Sequence, residues 1–265
     1  MAERPRLCVF GDSHYACIRQ AEGQGLVDAS GVELEYWGNV GGRFRYLVMR
    51  EGAIHAPDAV VAGRFAKFNA KGRTFLPADA FEAILVMGAR IYPWRVFFRL
   101  LHALSQGPFL SEGLQRRILA DGLRGYHGYH LAAGLAATGT ARILLAPVAH
   151  YTLNPERFSA SITPAMATLI ETRLGWFWSV MEEAAAEDGI TLIRQPEETV
   201  VAGMFTDPAF AVANHVAKAD YEHRNAAYGA LILGRALALL GIPPVQGLRD
   251  PGPTATMATG TEVGC

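Results

Sequence analysis

The chain has 265 residues, of which 51% are apolar and 18% charged, and its formal net charge is −1. A chain of that length buries a substantial core and fits one large domain better than two, and its composition excludes a disordered polymer. The near-zero charge provides no field that would gather nucleic acid or an anionic membrane, so the expected partner is a small molecule. In chain order, a strand at Leu7–Phe10 is followed by a helix at His14–Glu22, a strand at Val32–Tyr36 and a long stretch from Arg43 to Ala80. A strand at Ile84–Met87, helices at Pro93–Leu104 and Glu112–Ala137 and a strand at Ile143–Ala146 come next, then a helix at Pro164–Glu187, a strand at Thr191–Ile193 and a helix at Tyr221–Leu240.

Most of these strands are continuously apolar, as strands covered on both faces should be, and their alternation with helices predicts parallel βαβ architecture. Thr163 and Pro164 supply an N-cap and a first helical residue for the helix they open, and Gly189 ends it. Within 43–80, Lys71-Gly72 reads as a turn between Arg64–Phe68 and Arg73–Leu76, which predicts an inserted hairpin. From Pro243 onward Pro, Gly and Thr dominate without periodicity, so 1–242 is expected to be the domain and 243–265 a disordered tail.

No stretch reaches the roughly 18 apolar residues that span a bilayer, and Leu7–Phe10 is too short for the core of a signal peptide. Three scattered cysteines, Cys8, Cys17 and Cys265, form neither a disulfide framework nor a zinc spacing. The expectation is a cytoplasmic protein with no metal and no organic cofactor. His127 and His130 lie three apart on one helical face, yet no carboxylate or cysteine is placed to complete a metal site.

Two segments carry the chemistry. Gly11-Asp12-Ser13-His14 follows the first strand and precedes a helix, at the carboxyl edge where open α/β sheets place their sites. Amides at that helix N-terminus can donate to a developing oxyanion, and Asp12 is expected to anchor the turn through backbone hydrogen bonds. Taken alone, Ser13 reads as readily as an N-cap serine. Far along the chain, Asp220 precedes His223 by three residues on the way into the last helix. A carboxylate there can accept the imidazole Nδ1 proton and leave Nε2 free to take a proton from a serine hydroxyl, which is too weak a nucleophile unaided. Asn39 can also reach the edge, although asparagine before glycines is common turn chemistry. His150 falls at the same edge; Asn225, two residues after His223, either steadies the loop or, more commonly for such a position, is helix surface.

In motif order and spacing, from about Arg6 to Leu240, the sequence resembles the SGNH (GDSL-type) hydrolases. Gly11-Asp12-Ser13 matches the first block, with His14 where many members carry leucine. Trp37-Gly38-Asn39-Val40-Gly41-Gly42 resembles the second block, with Gly42, or alternatively Gly41, as its oxyanion donor. Asp220 and His223 match the last block. The third block departs: the strand ends in Gly88-Ala89-Arg90, so Arg90 stands where the family's oxyanion asparagine is expected. Arg90 either donates to the oxyanion, grips an anionic part of the substrate, or forms a surface ion pair.

The resemblance implies a flavodoxin-like three-layer α/β/α sandwich around a five-stranded parallel sheet. It implies a serine esterase acting through an acyl-enzyme on Ser13, with Asp220 and His223 as the base pair. Ser13, Gly42 and Arg90 would form the oxyanion hole, and His14, Asn39 and Arg90 would contact substrate. The expected substrate is a small O-acyl ester such as an acetylated carbohydrate. Acyl transfer by the same residues, or a weakly catalytic binding protein using Arg90, are the alternatives.

Overall fold

The structure, a computed structural model, describes residues 4–38, 41–69, 71–107, 109–158 and 162–242. Strand β1 (Arg6–Gly11) leads through a single 3-10 turn (Ser13–Tyr15) into helix α1 (Ala16–Gly23) and strand β2 (Glu33–Gly38). A second 3-10 turn (Gly41–Tyr46) opens an excursion of β3 (Val48–Arg50), β4 (Ala53–His55), α2 (Ala59–Phe68) and β5 (Phe75–Pro77). Strand β6 (Ala83–Gly88) precedes α3 (Pro93–Ser105), α4 (Glu112–Arg124), α5 (His127–Ala137) and β7 (Arg142–Pro147). The chain continues through α6 (Pro155–Phe158), α7 (Pro164–Glu187), β8 (Ile190–Leu192), the short strands β9 (Val200–Val201) and β10 (Phe205–Thr206), and α8 (Ala226–Leu239).

Five strands form one parallel sheet in the order β2-β1-β6-β7-β8. Counted along the chain, that is the 2-1-3-4-5 order of flavodoxin-like doubly wound sheets. Side chains sort between its faces with a period of two. Cys8, Phe10, Ile84, Val86, Ile143 and Leu145 enter one core, where α2, α3, α4, α5 and α7 contribute Phe65, Phe97, Leu119, Leu135 and Phe177. Leu7, Val9, Leu85, Met87, Leu144 and Ala146 enter the other, beneath Ile18 of α1 and Ile232 and Leu233 of α8. The result is a three-layer α/β/α sandwich.

Three sequence expectations for the stretch from Arg64 to Ala137 and its preceding hairpin are corrected. Arg64–Phe68 is the second half of α2 rather than a strand, because Asp58 caps the preceding residues by accepting from the Val61 amide at 2.9 Å. The hairpin in this excursion is β3–β4, turning at Glu51-Gly52, both with positive φ, and β5 adds a third antiparallel strand. The single helix expected over Glu112–Ala137 is two, broken at Gly125-Tyr126. The break lets Gly128 sit against the Ala89 carbonyl, where a Cβ would lie 2.0 Å from that oxygen.

The last helix begins at Ala226 rather than Tyr221. The Asn225 carboxamide accepts from the Tyr228 amide at 3.2 Å and donates to the Ala209 carbonyl at 2.7 Å, so this residue is an N-cap and not helix surface. The expected tail over 243–265 lies outside the residues the structure describes. Among the described residues no helix is long and apolar enough to cross a membrane.

Candidate active site

The registers of the sheet bring the site's segments to one edge. Gly11 lies level with Gly38 and Met87, and Gly88 with Pro147, so the loops after β1, β2, β6 and β7 leave the sheet side by side. The segment carrying Asp220 and His223 joins them through the packing of one helix pair. Helices α1 and α8, which follow Ser13 and His223 respectively, cross so closely that a Cβ on Gly229 would lie 2.2 Å from the Cys17 carbonyl oxygen. Only glycine permits that approach, and it sets the two chemistry-bearing segments beside each other.

Ser13 opens the 3-10 turn and is partly buried. Its Oγ lies 2.7 Å from His223 Nε2 across 210 positions of sequence. His223 Nδ1 is 3.0 Å from both Asp220 oxygens, and Asp220 Oδ1 also accepts the amides of Glu222 at 3.3 Å and His223 at 3.1 Å. Burial works to raise the Asp220 pKa, but the hydrogen bonds and charge of His223 outweigh it and hold the carboxyl below its ordinary range. An ionised carboxylate only accepts, so Nδ1 of His223 carries a proton and its Nε2 faces the Ser13 hydroxyl.

Asp12 does anchor the serine turn, and does more. Its Oδ1 accepts the His14 amide at 3.2 Å and stands 2.6 Å from His14 Nδ1, while Oδ2 accepts the Arg90 amide at 3.1 Å. His14 is accordingly buried, with its side chain 5% exposed, and its ring is stacked on that of His223. The structure therefore surrounds it with Asp12 and His223 and gives it no open ligand-facing surface.

At the end of β6, Gly88, Ala89 and Arg90 all have positive φ, at 70°, 51° and 55°. This left-handed run bends the chain so that the Arg90 amide faces Asp12. The amide is thus committed, and any part Arg90 plays at an oxyanion must come from its guanidinium. That group is exposed and makes no hydrogen bond or ion pair among the described residues, which sets aside the surface ion pair considered for it. Gly42 lies in the turn after β2, and its carbonyl accepts from Arg45 Nε at 2.7 Å. Asn39 lies outside the residues the structure describes.

The segment 220–225 is fixed by residues that the sequence did not single out. The buried Arg224 guanidinium donates to the Thr152 hydroxyl at 2.7 Å, to the His223 and Tyr221 carbonyls, and to the His150 carbonyl. Burial lowers its pKa to about 10. His150 is buried rather than lining the edge, with both ring nitrogens unpartnered among the described residues, and burial depresses its pKa to about 3. Glu222, between Asp220 and His223 in the chain, accepts from Arg95 Nη2 at 2.9 Å and from the Tyr92 hydroxyl at 3.3 Å. Arg95 lies 3.8 Å from the centroid of Tyr92. No local sequence signal points to the Arg95–Glu222 contact, whose partners lie 127 positions apart. A cleft of about 360 Å³ lies beside His223, bounded by Tyr151, Lys218 and the segment 219–223.

His127 is half-buried and His130 exposed, and among the described residues no group of three or more His, Cys, Asp or Glu side chains is placed to hold a metal.

No protein-family model and no curated protein matches the chain. Among solved structures it is similar to a chain from Streptococcus pneumonia described as a candidate platelet activating factor. The two are 12% identical over 90% of this chain and 85% of that one, with a TM-score of 0.42. It is also similar to a DUF4886 family protein from Bacteroides uniformis ATCC 8492, 12% identical over 91% of this chain and 96% of that one, with a TM-score of 0.33.

Proposed function

We propose that this chain is a serine hydrolase of the SGNH type that cleaves a small O-acyl ester through an acyl-enzyme on Ser13. The observation that carries the reading is the unbroken series Ser13 Oγ to His223 Nε2 at 2.7 Å and His223 Nδ1 to Asp220 at 3.0 Å. His223 takes the Ser13 proton as Oγ attacks the acyl carbon, and Asp220 stabilises the imidazolium that forms. The amides of Ser13 and Gly42, with the Arg90 guanidinium, are the donors to the tetrahedral oxyanion. His223 then passes its proton to the leaving alcohol, and the ester oxygen of Ser13 holds the acyl group. A water molecule, deprotonated by His223, attacks that ester, and the proton returns to Ser13 as the acid leaves.

An acetylated carbohydrate is the substrate we favour, and transfer of the acyl group to a sugar hydroxyl would use the same side chains. The unengaged Arg90 guanidinium supports a second reading, in which this fold grips an anionic ligand with little turnover. Hydrolysis of p-nitrophenyl acetate separates the two. The hydrolase reading expects activity that falls by several orders of magnitude in His223→Ala; full activity in that variant, or none in the wild type, contradicts it.

A further inference from the structure

The site holds a second aspartate–histidine pair beside the first. His14 Nδ1 is 2.6 Å from Asp12 Oδ1, and the His14 and His223 rings are stacked, with centroids 4.8 Å apart and planes inclined by 19°. We infer that His14 is a positioning residue for the base: fixed by Asp12, its neutral imidazole is a platform that orients His223 and favours its protonated form. This inference rests on the hydrolase reading above.

The tautomer of His14 follows from its surroundings. Asp12 accepts three N–H groups, namely the His14 ring, the His14 amide and the Arg90 amide. Three N–H donors converging on one carboxyl favour its ionised form. An ionised acceptor requires a proton on His14 Nδ1. His14 Nε2 is buried and meets no partner among the described residues. A second proton there would leave an N–H donor buried without an acceptor, and on that ground we assign the ring as neutral with a bare Nε2.

This platform is held on every side. A Cβ on Gly88 would lie 2.6 Å from His14 Cβ and 2.8 Å from its Cγ, so β6 abuts the base of the ring. The Cys17 thiol donates to the His14 carbonyl at 3.1 Å. His223 is looser, with its side chain 34% exposed. Its two ring nitrogens are held at their edges by Ser13 and Asp220, and the face contact with His14 adds a restraint on tilt. When His223 becomes cationic during the reaction, it lies against a neutral π-face backed by the ionised Asp12, an arrangement that lowers the free energy of the imidazolium. The other charged groups near the pair are Asp220, Glu222 and Lys218 around the cleft beside His223, Arg224, whose guanidinium donates to the His223 carbonyl, and Arg90, whose amide donates to Asp12.

Nitrogen-15 NMR of the wild type across pH tests this without requiring turnover. His14 is expected to keep Nδ1 protonated and Nε2 bare through neutrality, with its signals stepping at the midpoint of His223. His14→Leu should lower that midpoint by about half to one pH unit, the size of a face contact expressed as protonation. In ester hydrolysis the same variant should lose kcat by roughly tenfold to a hundredfold, as small misplacements of a catalytic group do, with KM little changed and the acid limb moving with the NMR midpoint. His14→Phe, which keeps a ring face, should recover much of the rate. A doubly protonated His14 at neutral pH in the wild type overturns the inference, and so does an unmoved His223 midpoint in folded His14→Leu. Turnover by the wild type alongside either result overturns this inference alone; a wild type without turnover overturns the hydrolase reading and the inference with it.

Discussion

The Arg224 guanidinium donates to the Thr152 hydroxyl at 2.7 Å, fastening the residue next to His223 to the loop that leaves β7. The contact is reinforced by the Thr152 amide, which donates to the Tyr221 carbonyl at 2.9 Å. All of the recorded Arg224 acceptors are carbonyl or hydroxyl oxygens, so the side chain serves as a multidentate strap for backbone that is otherwise irregular. Replacing it with methionine keeps much of the buried volume but strands several acceptors. Arg224→Met is expected to lose about 2–4 kcal/mol of stability in urea denaturation. Ester hydrolysis should fall further than unfolding accounts for, because the strap sets where His223 stands.

Gly88 is the second place where a small change should be costly. Its φ of +70° disfavours any L side chain, and an added Cβ would fall 2.8 Å from Asp12 Oδ1 as well as against His14. Gly88→Ala is therefore expected to destabilise by more than about 2 kcal/mol, combining backbone strain with a clash against packed groups. Equilibrium denaturation reads this directly; a change within 0.5 kcal/mol, roughly the scatter of neutral surface substitutions, would contradict the geometry.

Arg90 separates backbone from side-chain roles. Its φ of +55° is a conformation that asparagine tolerates well and β-branched residues tolerate poorly. Arg90→Asn should keep the wild-type melting temperature, while Arg90→Val should lose roughly 1–2 kcal/mol. If the guanidinium acts at the oxyanion, Arg90→Asn retains turnover because a carboxamide can also donate. If instead it binds an anionic part of the substrate, the same variant raises KM with kcat little changed.

Acid sensitivity follows from His150. Its folded pKa of about 3 lies below the ordinary histidine value of 6.5, so between those limits the unfolded chain binds a proton that the folded chain refuses. Stability is thus fully present above pH 6.5 and declines as pH falls toward 3, by at most about 1.4 kcal/mol per pH unit from this group. Asp12 and Asp220 have depressed pKa values, so their contributions are present above 3.8 and are lost as pH falls through their folded values. His150→Leu removes no recorded side-chain hydrogen bond and should flatten the decline between pH 6.5 and 4, measured as the urea midpoint at each pH.

The sheet was legible in the sequence because each parallel strand is a nearly continuous apolar run, and such runs have few other uses. That Ser13, Asp220 and His223 meet was legible because these residue types suit a proton relay, and two of the three are neighbours on a loop. Helix α2 was missed although Asp58 is a standard cap, because Lys71-Gly72 drew the pattern toward a hairpin. The start of α8 was placed early because Asp220 and Asn225 are both good caps, and only tertiary contacts decide between them. Asp12 was read as a backbone anchor, but its grip on the His14 ring depends on β6 closing over the turn. Arg224 and the Arg95–Glu222 pair carry no local signal for the loops they join, since their partners lie 72 and 127 positions away.

Labelling with a fluorophosphonate, followed by peptide mapping, tests the central claim most directly. A serine whose proton is drawn toward His223 should be modified at Ser13, with labelling abolished in Ser13→Ala and strongly slowed in His223→Ala. A folded wild-type protein that resists the probe, or that carries the label at another serine, would contradict it.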